Sequence, residues 1–193
     1  NVMEHLSKNF WESRYEKETT GWDLGEVSSP IKAYFDQVEN KSLRILIPGC
    51  GNGHEVEYLF NLGFDNVHAM DLAEEPLLNL LKRVPTFPEE HIIFGDFFAF
   101  SGEFDIIVEQ TMFCAIDPDL RSAYASKCEG LLAENGKIVG VMFNREFPDG
   151  PPYGGSKEEY MTYFDQFSSV EMEECYNSIE PRQGAELFVK ISK

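Results

Sequence analysis

Apolar residues in this chain fall into short continuous runs, separated by stretches whose apolar positions recur at helical spacing. Residues 43–47 (LRILI) read as a strand covered on both faces, as in a parallel sheet. A helix opens near His54, and a second strand closes on Asp71. Residues 74–83 form a crossover helix that stops before Pro85. Residues 91–96 (HIIFGD) and 103–110 (EFDIIVEQ) are two further strands, each with an acid at or near its end. Ser28-Ser29-Pro30 and Asp117-Pro118 are each a cap followed by proline at the start of a helix. The first of these helices runs to about Glu39. The second places Leu120, Ala123, Tyr124, Cys128, Leu131 and Leu132 on one face and ends at Asn135-Gly136. Residues 137–143 form a fifth strand, 156–167 a helix, and 170–176 and 185–191 a closing strand pair. Strand–helix alternation followed by such a pair predicts a doubly wound α/β sheet in one domain spanning residues 1–193.

The first turn carries the chemistry. Gly49, Gly51 and Gly53 (GCGNG) let the backbone turn sharply and approach a ligand without a Cβ in the way. Asp71 closes the following strand, where a carboxylate can accept both hydroxyls of a ribose. A dinucleotide fingerprint needs a third glycine at the sixth position, for close helix–strand packing. Here that position is His54, which is too large. Glycines at every second position, with an acid ending the next strand, suit S-adenosylmethionine (SAM), which carries a sulfonium and no pyrophosphate. Asp96 is placed to accept from an adenine amine, with Phe97 against the ring.

Composition narrows the partners. The net charge of −18 opposes the basic footprint that nucleic-acid binding requires. The same charge opposes long-range attraction of any anionic substrate. No apolar stretch approaches the ~20 residues of a membrane span. The first residues are too polar for a secretory signal. Cys50, Cys114, Cys128 and Cys175 show no paired spacing, and His5, His54, His68 and His91 are dispersed. These features point to a cytoplasmic protein with reduced thiols and no metal site.

NFWESRYEKETTGWDLGEVSSPI, IPGCGNGHE, MFCAIDPDLRSAYA and FPDGPPY together resemble the thiopurine S-methyltransferase superfamily, and most closely its halide/thiol methyltransferase branch. The resemblance spans almost the whole chain. It implies a class I SAM-dependent methyltransferase: a Rossmann-like, seven-stranded mixed sheet with the last strand antiparallel and helices on both faces. It also implies that residues 1–27 form a lid over the cofactor. Carried over, Trp11, Tyr15 and Trp22 supply aromatic contacts, and Gly49, Gly51, Asp71, Asp96, Phe97 and Gln110 complete the cofactor site. Tyr15 stands where a tryptophan is common in relatives, and Gln110 where a Tyr or Arg is. Small members of this fold are often monomers.

The implied reaction is in-line methyl transfer to a small soft nucleophile: a thiol, hydrosulfide, thiocyanate or halide. S-adenosylhomocysteine is the second product. Two tryptophans in an otherwise polar first segment fit an aromatic lid, because an indole face attracts a sulfonium by about 0.5–2 kcal/mol. The GPPYGG loop at 150–155 is placed to cap the pocket, and there Tyr153 can orient an anion and serve the catalytic step. Two alternatives remain open at this level: a thiopurine or other aromatic thiol as acceptor, and a catalytically silent SAM-binding protein.

Overall fold

A computed structural model describes residues 6–17 and 21–193 of the chain. Residues 1–5, including His5, and residues 18–20 lie outside the described set, so the expected lid of residues 1–27 is described only in part. Seven strands form one sheet: β1 Ile45–Pro48, β2 Val67–Asp71, β3 Ile92–Phe94, β4 Phe104–Gln110, β5 Leu132–Phe143, β6 Ser169–Glu174 and β7 Glu186–Ser192. Their spatial order is β3-β2-β1-β4-β5-β7-β6. Strands β1 to β5 pair in parallel, while β7 is antiparallel to both β5 and β6. The expected seven-stranded mixed sheet with an antiparallel last strand is therefore present.

Alternate residues of each central strand feed two cores. On one face, Leu46, Ile107, Ile138 and Met142 pack with Tyr124, Ala125, Cys128 and Leu131 of α5 (Arg121–Leu131) and with Tyr160 of α6 (Lys157–Met161). On the other, Ile45, Ile47, Ile106, Val108 and Val139 meet Ile31 and Phe35 of α2 (Ser29–Phe35). Val56 and Leu59 of α3 (His54–Asn61), with Leu77 and Leu80 of α4 (Glu74–Arg83), complete this second layer. The period-2 alternation of a strand serves both layers at once. The remaining helix, α1 (Lys8–Glu16), is capped by the Ser7 side chain, which accepts from Phe10 N.

Several boundaries depart from the sequence pattern. Helix α2 stops at Phe35, where tight turns from Gln37 N to Tyr34 O and from Val38 N to Phe35 O end it. The helix expected from Asp117 to Gly136 begins as a 3-10 turn at Pro118–Leu120 and ends at Leu131. Leu132 already pairs with Phe104 in the sheet, and Asn135 takes the left-handed conformation (φ 68°) at a register shift inside β5. Burying Leu132 in the sheet outweighs continuing the helix. Likewise α6 is one α-turn continued by a 3-10 turn at Thr162–Phe164, and not a helix to residue 167.

Strand order reverses between β1 and β4, and their carboxyl ends open onto a common crevice. In open α/β sheets ligands bind at such a switch point.

Candidate active site

A cavity of about 370 Å³ occupies that crevice. Its floor is the turn after β1, its sides are the strand ends of β2 and β3 and the segment after β4, and its roof is the first segment of the chain.

The turn after β1 requires its glycines. Gly49, Gly51 and Gly53 have φ of 59°, 57° and 75°, the left-handed region that an L side chain adopts only with strain. Space is short as well: a Cβ on Gly51 would lie 2.8 Å from the Tyr15 hydroxyl, and one on Gly49 would lie 3.1 Å from Met112. Asp71 is fixed from two sides. Its Oδ2 accepts from Gly51 N (2.8 Å) and its Oδ1 from Ala73 N (2.9 Å). Each oxygen keeps a further lone pair for a ligand hydroxyl. Burial raises the Asp71 pKa, and the two N–H groups oppose the rise.

The roof is aromatic. Trp22 stands edge-to-face with Trp11 (5.7 Å, 89°) and with Tyr15 (5.8 Å, 87°). Burial, and then the charge of Asp71, push the Tyr15 hydroxyl pKa well up, so it stays neutral. Polar contacts hold this segment down. Asp23 Oδ1 lies 2.9 Å from His54 Nε2, Asn52 Nδ2 donates to Asp23 Oδ2, and Arg182 Nη2 donates to Trp22 O at 3.3 Å. Ser28 Oγ donates to Gln110 Oε1 (2.9 Å), and Ser28 N donates to Glu55 Oε1 (3.1 Å).

The segment after β4 is held by a buried carboxylate. Glu109 is 1 % exposed. It accepts from Tyr124 Oη (2.5 Å) and from Met112 N and Phe113 N (both 3.0 Å). Burial lifts its pKa to about 7, against these three donors. The same bonds hold Thr111 at φ 64°, a strained turn that brings Thr111 and Met112 into the cavity wall. Across from it, the fully buried Arg121 donates to Gly154 O (2.9 Å) and pairs with Glu159 (2.7 Å). Arg121 thereby fixes the loop that presents Pro151 and Pro152.

Among the residues expected from sequence, Trp11, Tyr15, Trp22, Gly49, Asp71, Asp96 and Phe97 line this one cavity. Asp96 Oδ1 also caps a short turn by accepting from Phe98 N, and Phe97 stacks on Tyr124. Gly51, Gln110 and Tyr153 are not in the lining. Gly51 acts on Asp71, and Gln110 is tied to Ser28. The Tyr153 ring covers Gly150, where a Cβ would lie 2.2 Å from Cε1, and its backbone N donates to Cys114 O. Pro151 and Pro152 take the wall position that the loop pattern suggested for Tyr153. Sequence reasoning gave no role to Thr111, Arg121 or Arg182, which no local motif marks, and it read Asp117 only as a helix cap. Glu109 it read as an acid near the end of a strand, without a specific role. Among the described residues there is no His/Cys/Asp/Glu group that could hold a metal, and no helix is long and apolar enough to cross a membrane.

Sheet order, glycine turn, the buried Asp71 at the end of β2 and the aromatic roof together define a class I SAM-dependent methyltransferase. Solved structures share this fold. A 1,6-didemethyltoxoflavin-N1-methyltransferase of Burkholderia thailandensis, with bound S-adenosylhomocysteine, superposes with a TM-score of 0.74 at 18% identity, covering 99% of this chain and 88% of that one. The sequence profile of the thiopurine S-methyltransferase family matches residues 6–190, and the chain belongs to that family. Among its relatives are a probable thiol methyltransferase 2 of Arabidopsis thaliana (31% identical) and a thiocyanate methyltransferase 1 of Brassica oleracea (32%). Each alignment covers 100% of this chain and 88% of the relative. A thiopurine S-methyltransferase of Pseudomonas fluorescens is 25% identical over 80% of this chain and 78% of its own length.

Proposed function

We propose that the protein methylates a small soft nucleophile (a thiol, hydrosulfide, thiocyanate or halide) by in-line displacement on SAM. The reading is carried by the continuity of one cavity. It runs from Asp71, Asp96 and Phe97 to an apolar wall of Met112, Cys114, Ile116, Pro151 and Pro152. The thiol and thiocyanate methyltransferases among its relatives support the acceptor class.

SAM supplies a methyl group already activated on a sulfonium, so the protein's task is to hold, orient and desolvate. Asp71 accepts from the ribose hydroxyls through the lone pairs left by Gly51 and Ala73. Asp96 and Phe97 hold the adenine, and the left-handed glycines bring backbone close to the ligand. Trp11, Tyr15 and Trp22 present ring surface to the cation and exclude water that would solvate the nucleophile. Gly51 and Gln110 assist from behind the wall, through Asp71 and Ser28. Residues 1–27 serve as the lid of a single cytoplasmic domain, 1–193, which works as a monomer without a metal.

A second reading, an aromatic thiol such as a thiopurine as acceptor, is favoured by the same apolar wall. The test is a panel of thiocyanate, hydrosulfide, iodide, a small alkyl thiol and a thiopurine at fixed SAM, with calorimetry for SAM itself. Methylation of the small acceptors is the expected result. SAM binding without any methylated product would leave a silent SAM-binding protein, and no SAM binding would end both readings.

A further inference from the structure

The wall formed by the segment after β4 and by Pro151 and Pro152 is apolar apart from Thr111, whose hydroxyl donates to Gln110 O, and one charged side chain. Asp117 lines the cavity there and is only 8 % exposed. Its Oδ1 accepts from Asp119 N at 2.9 Å, capping the turn that opens α5. Among the described residues no donor bonds to Oδ2 of this cavity-lining carboxylate. The two other lining carboxylates, Asp71 and Asp96, stand at and just beyond the ends of β2 and β3, at the cofactor end. The one lysine of the lining, Lys8, holds its Nζ 4.5 Å from the centre of the Phe94 ring, beside β3. The lining of the acceptor wall therefore offers one carboxylate and no cationic side chain, while the guanidiniums of Arg121 and Arg182 stand behind Cys114, Arg121 tied to Glu159 and Gly154 O and Arg182 beside Glu186.

That arrangement is unfavourable for thiocyanate or iodide and favourable for a group that arrives neutral and must lose a proton. We propose that Asp117 is the proton acceptor for a neutral thiol, and that it selects thiols over anions. This rests on the methyl-transfer reading above. The acceptor's S–H bond breaks and its proton passes to Asp117 Oδ2. The sulfur electron pair forms the new S–CH3 bond. The electrons of the sulfonium–methyl bond return to the donor sulfur, leaving a neutral thioether. Asp117 then returns the proton to water.

Asp117→Asn tests the assignment, because asparagine caps a helix start as well as aspartate does. Asp117→Ser is a second capping variant without a carboxylate. The acceptors are a small alkyl thiol, which must lose a proton, and thiocyanate, which need not. With the thiol at a pH well below its pKa, both variants lose at least about tenfold in kcat, at the low end of general-base contributions. Their residual rate climbs about tenfold per pH unit, following the thiolate fraction, while the wild-type profile is shallower. With thiocyanate, kcat is kept or raised. Tryptophan fluorescence of the protein loaded with S-adenosylhomocysteine adds a binding readout. There thiocyanate binds the variants several-fold more tightly than the wild type. Equal losses on both acceptors would make Asp117 a cap alone and overturn the proposal, as would an unchanged thiol rate. A wild type that binds SAM and methylates no acceptor removes the methyl-transfer reading and this proposal with it.

Discussion

Asp23 Oδ1 lies 2.9 Å from His54 Nε2, so the first residue of α3 clasps the segment that carries Trp22 over the glycine turn. The Asp23 hydrogen bond raises the His54 pKa, with burial and Arg83 opposing and Glu55 assisting. Asp23 in turn is held below the carboxylate range, chiefly by His54. A raised histidine contributes stability that is complete below its unfolded value of about 6.5 and lost as pH rises through the folded value. The depressed Asp23 contributes above the ordinary carboxylate range and fails only in acid. Both tryptophans of the chain sit in this roof, so intrinsic fluorescence reports on it alone. The emission is expected to stay constant from pH 5.5 to 6.5 and to shift red above neutrality. His54→Gln should show no alkaline step. A wild-type spectrum that is flat to pH 9 would remove the clasp from the account.

Tyr15 and Gly51 are expected to be coupled. Gly51→Ala meets both the left-handed φ of 57° and the Tyr15 hydroxyl, 2.8 Å from the new Cβ. The variant should lose about 1–3 kcal/mol of stability and bind SAM more weakly. Adding Tyr15→Phe removes the overlapping oxygen and should recover part of that loss, leaving the backbone cost. Denaturant titration of the four-member cycle gives the coupling. Strict additivity would mean that ring and turn do not touch.

Glu109 makes stability fall with pH. Its pKa of about 7 in the folded protein lies above the ordinary 4.5, so the folded state binds the proton more tightly. The stabilisation is complete below pH 4.5, is lost as the pH rises to about 7, and amounts to about 3 kcal/mol. Glu109→Gln keeps an acceptor for Met112 N and Phe113 N and can donate to Tyr124. Between pH 4.5 and 7 its unfolding free energy should fall less steeply than that of the wild type. Parallel curves would contradict the assignment.

Tyr153→Phe should leave turnover within about twofold for every acceptor, because the ring packs on Gly150 while the prolines line the cavity. Arg121→Lys, by contrast, gives up the fork that joins Gly154 O to Glu159 and should raise KM for the acceptor. A large kcat loss in Tyr153→Phe would return its hydroxyl to the reaction.

What was legible in the chain was what local patterns encode. The strand ending in GCGNG, the Asp71 twenty residues beyond Gly51, and the two tryptophans of the first segment are spacing and residue-type signals, and they marked residues that line or support one cavity. The antiparallel last strand came from family resemblance. Helix ends were legible less well, because Leu132 follows the helical spacing equally well whether it ends a helix or begins a strand.

The sequence by itself therefore determined the α/β class, the methyl donor and the family, since each depends on residues close together or on a repeated period. Only the tertiary structure decided the wall that faces Asp71 and Asp96 across the cavity. Asp117 is a helix cap by pattern and Arg121 a helical arginine. Pro151 and Pro152 read simply as loop residues. They meet around one cavity because Arg121 reaches over thirty residues ahead to Gly154, and Glu109 bends the chain at Thr111. Such contacts join distant parts of the chain through single buried polar groups, whose energy depends on what surrounds them.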